Sequence, residues 1–200
     1  MNSQNPIVDV REDLLDTAQT IMSGKGFSAV GLNEILSSAG VPKGSFYYYF
    51  ASKEAFGEAL LRRYFENYLA AMDSLFNQPD LNAARQLKAY FQGWLDTQTS
   101  HAAHSKCLVV KLAAEVADLS EAMRGVLLRG TTDIIERLAT AIDSGNSDGS
   151  LSITDASSDV AEGLYQSWLG ASLLAKITKD DAPLKAAMVA TVRTLSLAGE

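Results

Sequence analysis

Two segments of this chain carry residues whose types and spacing could do chemistry. The first is Gly40-Val41-Pro42-Lys43-Gly44-Ser45-Phe46-Tyr47-Tyr48-Tyr49-Phe50. Pro42 suits a helix start, where its missing N–H costs nothing. Phe46 and Phe50 are four residues apart and share one helical face. Lys43, Ser45, Tyr47, Tyr48 and Tyr49 are then left to point outward. A short helix with an apolar back and a front of ammonium and phenol groups suits insertion into the major groove of DNA. The alternative is that the tyrosines are core residues, but three adjacent phenols cannot all face inward on a helix.

The second segment surrounds Cys107, the one thiol of the chain. A helix expected over 106–117 places it in a first turn, where the helix dipole favours the thiolate. Lys106 is adjacent and Lys111 is four residues on, both able to lower the thiol pKa if near. Such a thiol reacts with electrophiles and oxidants. The competing reading is a small buried hydrophobe. His101 and His104 extend the pattern to His-x-x-His-x-x-Cys, whose steps could gather metal ligands on a continuous helix. The Ala-Ala and Ser between them read instead as a helix junction, and no fourth ligand stands out. Neither a metal nor another cofactor is expected. No Ser-His-Asp or Cys-His-Asp pattern at catalytic spacing and no phosphate loop occurs, so no catalytic residues are assigned.

The elements that must position these segments read as helices throughout. Residues 10–23 place Leu14, Leu15, Ala18, Ile21 and Met22 on one face, with Asp9 and Glu12 as a capping pair and Gly24 and Gly26 ending the run. Residues 32–39 carry a stripe of Leu32, Ile35, Leu36 and Ala39, with Gly31 as N-cap, Glu34 at the reciprocal capping position and Gly40 at the C-terminal turn. Phe27 and Val30 lie between and would lock the first helix to the second. With 43–49 these make a three-helix, helix-turn-helix unit. Ser52 caps a long helix to about Asn77. Further helices are predicted over 83–100, 106–117, 121–143 (opened by Ser120), 156–177 and 182–197. The expected fold is all-α with about nine helices: an N-terminal helix-turn-helix domain over 1–52 and a C-terminal effector and dimerisation domain over 53–200. Ser144-Gly-Asn-Ser-Asp-Gly-Ser150 reads as a mobile loop.

Two hundred residues with a formal charge of −7 sit awkwardly with a nucleic-acid partner, so the distribution matters. Within residues 24–53 three cations (Lys25, Lys43, Lys53) face one anion, Glu34. A weakly basic surface predicts few cation–phosphate contacts and a modest salt dependence. No signal-like segment opens the chain, no apolar run approaches ~20 residues, and a single Cys forbids an intramolecular disulfide. A cytoplasmic protein without membrane contact is expected.

In residues 182–197, Leu184, Ala187, Met188, Thr191, Val192 and Leu195 form a stripe. In 158–174, Gly163, Ser167, Gly170 and Ala171 put small residues on one side. Two such helices per chain predict a four-helix homodimer interface, with an intrachain core as the other reading. Dimerisation also suits the DNA reading, since one short helix reads too few bases. Tyr68, Phe91, Trp94 and Trp168, with Met72 and Met123, are candidates to line an effector pocket. Each could equally be plain core.

Residues 9–60 resemble the DNA-binding domain of TetR-family transcriptional regulators. The resemblance rests on Gly26-Phe27, Ile35, Ala39-Gly40-Val41, Lys43 through Phe50 and Ser52-Lys53-Glu54. It implies a homodimeric repressor of palindromic double-stranded operator DNA, with Asn33, Lys43, Gly44, Ser45, Tyr47, Tyr48, Tyr49 and Lys53 at the DNA. By position, Lys43, Tyr47 and Tyr48 would meet the major groove, and Ser45, Tyr49 and Lys53 would hold phosphates. The family often has His where Tyr49 stands and Thr at position 31 or 32, where this chain has Gly31-Leu32. Residues 105–124, Trp168-Leu-Gly-Ala171 and Ala175-Lys176 resemble the NemR-type electrophile and oxidant sensors of that family, and AcuR-type repressors. The resemblance implies a sensing site at Cys107 and Lys176. The additional cysteines of such sensors are absent here; position 117 is Ala. The leading expectation is a repressor released by electrophiles or oxidants at Cys107. A repressor with a reversible small apolar or carboxylate inducer is the second, and a thiol-dependent enzyme the third.

Overall fold

A computed structural model describes residues 9–99 and 108–197. Among them are nine helices and no strand: α1 (Val10–Lys25), α2 (Leu32–Ala39), α3 (Lys43–Tyr49), α4 (Lys53–Phe76), α5 (Ala83–Thr99), α6 (Leu108–Leu119), α7 (Glu121–Asp148), α8 (Ser157–Thr178) and α9 (Ala182–Thr194). No described helix is long and apolar enough to cross a membrane.

The first three helices form as their caps dictate. The Asp9 carboxylate accepts from the N–H groups of Arg11 and Glu12. α1 runs through Gly24 and closes at Gly26, whose φ of +93° favours glycine. Glu34 does not complete a capping box, because Lys25 Nζ takes its carboxylate at 2.5 Å. Glu12 likewise turns to Arg11 and Arg63 rather than back to its own helix end.

α4 joins this unit to the rest. The half-buried guanidinium of Arg63 reaches Glu12 at 3.1 Å and Asp16 at 2.8 Å, tying α4 to α1. On the other side, Arg137 of α7 grips Asp73 with Nε and Nη2 at 2.7 and 3.1 Å. α7 is the central helix, packed against α4, α5, α6 and α8, while α9 covers α8 and α5. It approaches α4 closely because Gly130 leaves room for the Phe65 ring: a Cβ at 130 would lie 2.3 Å from that ring.

Two expectations are corrected here. Ser144 to Asp148 are helical, not loop, and α7 ends at Gly149 with φ +74°. Although most of these small polar residues are exposed, three of the positions also serve neighbours. Gly145 admits Leu151, whose Cδ1 would be 2.5 Å from a Cβ there. Asn146 bonds both the N–H and the carbonyl of Ile153. Asp148 accepts from Ala83 N at 3.0 Å, capping α5. Second, the stripe of Leu184, Ala187, Thr191 and Leu195 is buried within the chain, with Met188 and Val192 half-buried beside it. Thr191 accepts the Trp168 indole N–H at 2.8 Å, so this stripe is an intrachain seam between α9 and α8. Ala171 is buried too, whereas Gly163, Ser167 and Gly170 face outward.

Gly130→Ala should lower stability by roughly 1–3 kcal/mol in urea unfolding, the overpacking cost outweighing alanine's helix advantage of up to ~1 kcal/mol. An unchanged midpoint would mean Phe65 moves aside freely. Acid should also destabilise. Hydrogen bonding to Arg137 holds the Asp73 carboxyl below the ordinary carboxylate range, and the Ser150 hydroxyl with the Ala83 and Ser150 N–H groups does the same for Asp148. A lowered folded-state pKa gives stability that is present above the unfolded value and lost as pH falls through the folded one. The urea midpoint should therefore hold from pH 7 to about 5 and fall below about pH 4.

Candidate functional site

α3 is pinned from behind. Gly40 (φ +67°) ends α2, and Val41 N bonds Leu36 O at 2.9 Å, which sets the tight turn into α3. Phe46 is fully buried, with its ring 5.3 Å from both Phe50 and Phe56; the latter two are 4.8 Å apart. This aromatic triad fastens α3 to the start of α4. The opposite face is open: Tyr47 is 52% and Tyr48 83% exposed, and Tyr49, Lys43 and Gly44 are exposed as well. Tyr48 and Tyr49 meet edge to face at 5.0 Å, so the two rings stiffen each other. Ser45 is half-buried. Asn33 and Lys43 flank a shallow groove between α2 and α3 that Ser37 and Pro42 also line. Seven of the eight residues expected at DNA thus lie on or beside one face.

Lys53 is the eighth and has a different partner. Its ammonium donates to Phe27 O at 3.0 Å and lies 4.7 Å from the centre of the Phe27 ring. Of the three cations in residues 24–53, Lys25 is paired with Glu34 and Lys53 is turned to Phe27, leaving Lys43 on the outward face.

Phe27, expected between α1 and α2, reaches further. Its ring fills the space over Gly57 of α4, where a Cβ would lie 2.6 Å from Phe27 Cε2 and 2.7 Å from Met123 Sδ of α7. From α6, Glu115 accepts the Phe27 N–H at 3.0 Å with Oε2 and the Ser28 N–H at 2.5 Å with Oε1. Burial raises the Glu115 pKa, but hydrogen bonds from Ser28 and Phe27 and the charge of Lys53 outweigh it, leaving the group below its ordinary range. Sequence reasoning missed Glu115. Its partners lie 87 and 88 residues away, and no periodicity points to them.

The proposed pocket residues divide. Phe91 and Trp168 are stacked at 5.3 Å, and Trp94 lies 5.6 Å from Trp168. Both indoles are satisfied, by Ser172 at 3.1 Å and Thr191 at 2.8 Å. Tyr68 joins the cluster through a 2.8 Å hydroxyl contact with Tyr90. Met72 is buried in the core with them, but Met123 belongs to the Phe27–Gly57 junction instead. Cys107, with His101, His104, Ser105 and Lys106, lies outside the described residues, which resume at Leu108, the first residue of α6. Lys176 is exposed in the last turn of α8, a helix that α6 contacts. Among the described residues no cluster of His, Cys, Asp and Glu could hold a metal.

Residues 14–60 match the family of bacterial regulatory proteins, tetR family, and residues 83–191 match the tetracyclin repressor-like C-terminal domain. The HTH-type transcriptional repressor NemR of Escherichia coli (strain K12) is 41% identical over 180 residues, covering 90% of each chain. The transcriptional regulator AcuR of Cereibacter sphaeroides is 32% identical, over 82% of this chain and 74% of AcuR. The crystal structure of the reduced form of E. coli NemR superposes with a TM-score of 0.89 at 39% identity, covering 96% of this chain and all of that one. With an exposed phenol face on a pinned third helix and relatives that span nearly its whole length, the chain belongs to the TetR family of transcriptional regulators.

Proposed function

We propose that this chain is a homodimeric repressor that binds a palindromic operator through α3 and is released when a reactive electrophile or oxidant modifies Cys107. The observation that carries the DNA half is Tyr48, 83% exposed on a helix whose back is locked by three phenylalanines. An aromatic hydroxyl held rigidly in water gains nothing there; stacked against bases and bonded to their edges it gains both. In this reading Lys43, Tyr47 and Tyr48 face base edges, while Ser45 and Tyr49 hold phosphates beside the α3 N-terminus. Asn33 and Gly44 border the same surface. A reading head over 1–52 is then borne by a body over 53–200.

The outward face of α8 and α9 supports a dimer. Gly163 and Gly170 have open space where a Cβ would stand, and Leu173, Leu174, Ile177 and Val189 are each more than half exposed around them. An apolar surface of that kind favours burial against a second copy.

For sensing, support comes from the place of Cys107 in the chain, from the likeness to NemR, and from Lys176 on a helix that α6 contacts. A Michael acceptor would add the Cys107 sulfur across its double bond and leave an S–C adduct. Hypochlorous acid would oxidise the thiolate by two electrons, with loss of chloride after hydrolysis, to the sulfenic acid. An amine such as that of Lys176 would then displace water to give an S–N bond. With one cysteine in the chain, a disulfide would have to join two chains.

Replacing Tyr48 by Ala should cost roughly 1–3 kcal/mol of discrimination between operator and random DNA. Lys43→Ala, which removes a cation at a base edge, should likewise weaken operator more than random DNA, and should lower the salt slope by at most about one. Fluorescence anisotropy at several salt concentrations reads both, and an unchanged preference in Tyr48→Ala would rule out docking through α3.

Gly170→Arg should give a folded monomer that no longer binds operator. Gly170 is exposed and has open space at the Cβ position, so the side chain can leave the helix without an intrachain clash there. Light scattering showing an intact dimer would move the interface elsewhere.

Operator release by a maleimide and by hypochlorous acid should disappear in Cys107→Ser. Lys176→Arg should keep maleimide release and lose any S–N product, because the guanidinium stays protonated. Release of Cys107→Ser at the wild-type dose of both reagents would eliminate thiol sensing in favour of a reversible inducer.

A further inference from the structure

The loop between α1 and α2 is held by a residue that belongs to neither the reading head nor the long helix beneath it. Glu115 comes from α6, seven residues after Leu108, about 10 Å or two turns along the helix. Its two carboxylate oxygens each take one of two consecutive backbone N–H groups, Phe27 at 3.0 Å and Ser28 at 2.5 Å. These donors follow directly on Gly26, where a Cβ would come within 3.0 Å of Glu115 Oε2 and 3.9 Å of Lys111 Cε. The glycine therefore does two things: it adopts φ +93°, and it lets the carboxylate come up to the backbone. Lys53 completes the grip by donating to the carbonyl of the same Phe27. Two parallel charge-assisted bonds fix orientation as well as distance, as one bond does not. Hydrogen bonds weaken steeply once geometry departs from the ideal. A shift of α6 by about an ångström must therefore either carry residues 26–28 with it or break both bonds.

We propose that Glu115 is a positioning residue for operator binding, through which α6 sets the attitude of the reading head. This rests on the reading that α3 docks on DNA, but it concerns how the head is held and not which side chains touch bases. Without the carboxylate the head has more orientations available, of which the operator accepts a fraction. The apparent affinity falls by that fraction. No phosphate contact is lost, so the salt dependence is untouched.

The test compares Glu115→Ala and Glu115→Gln with the wild type as intact dimers, without any effector. Glu115→Ala should bind operator roughly tenfold more weakly, as expected if about one head orientation in ten is competent. Its salt slope should equal that of the wild type. Glu115→Gln keeps one carbonyl acceptor for two donors and should fall between the two. Hydrogen exchange should speed up at the Phe27 and Ser28 amides in Glu115→Ala while the α7 and α8 amides stay protected, which separates a freed loop from a protein that merely unfolds more easily. Wild-type operator affinity in Glu115→Ala, unchanged exchange at those two amides, or a reduced salt slope would each overturn the proposal. Failure of the docking reading would look different. Tyr48→Ala would then keep its operator preference, while Glu115→Ala would still weaken binding.

Discussion

Phe27 is gripped by residues of three helices outside its own three-helix unit. Its N–H goes to Glu115 of α6, its carbonyl to Lys53 of α4, and its ring fills the space that Gly57 of α4 leaves beneath Met123 of α7. A short loop would ordinarily solvate its backbone and move freely. Here both polar atoms of one residue are satisfied by charged side chains, and the ring is buried. The position of α3 follows from this. α1 and α2 pack against each other through the same loop, and Gly40 then turns the chain into α3. The Phe46–Phe50–Phe56 triad closes the circuit back onto α4. The tyrosines stand out into solvent as a rigid group because everything behind them is tied down at Phe27.

The same economy of space governs the body. Gly57, Gly130 and Gly145 each sit where a side chain of the neighbouring element occupies the volume of a Cβ, against Phe27, Phe65 and Leu151. Helical glycines cost up to about 1 kcal/mol each in propensity. Closer helix packing and burial of a large side chain at each place offset that. Polar ties follow the same lines: Arg63 joins α4 to α1, Arg137 joins α7 to α4, and Asp148 caps α5 from the end of α7. α4 and α7 together form a stiff frame between the reading head and the outward face of α8.

Much of this was legible in the sequence because the chemistry was local. The face of α3 could be read from eight consecutive residues, and α1, α2 and α4 from apolar spacing with a cap at one end. What was not legible depends on residues far apart in the chain. Ser144–Asp148 looked like loop because small polar residues usually serve solvent, and the partners that reverse the reading, Ile153, Ala83 and Leu151, give no periodic signal. The α9 stripe was correctly apolar but could not say which chain buries it; the Thr191 hydroxyl beneath Trp168 settles that for the protomer. Lys53 carried the pattern of a phosphate contact, yet a carbonyl and a ring closer at hand take its charge. Glu115 had no pattern at all, since an acid on a helix is most often a solvated one.

The fit at Gly57 bears on how freely such regulators can exchange parts. Helix-turn-helix units are often treated as cassettes to be joined to new sensory bodies. In this chain the seam is a lock of five positions. A donor head needs a ring of phenylalanine size at position 27, a residue without a side chain at 26, and two free amides in register for the acid at 115. The recipient body must keep position 57 bare and a flexible sulfur at 123. A graft that adds a side chain at 57 alone brings its Cβ to 2.6 Å from the Phe27 ring, and one that loses the acid at 115 alone leaves two amides at the joint without it. Substitutions at 26, 27, 57, 115 and 123 are therefore best moved as one set, with the cut made on either side of all five.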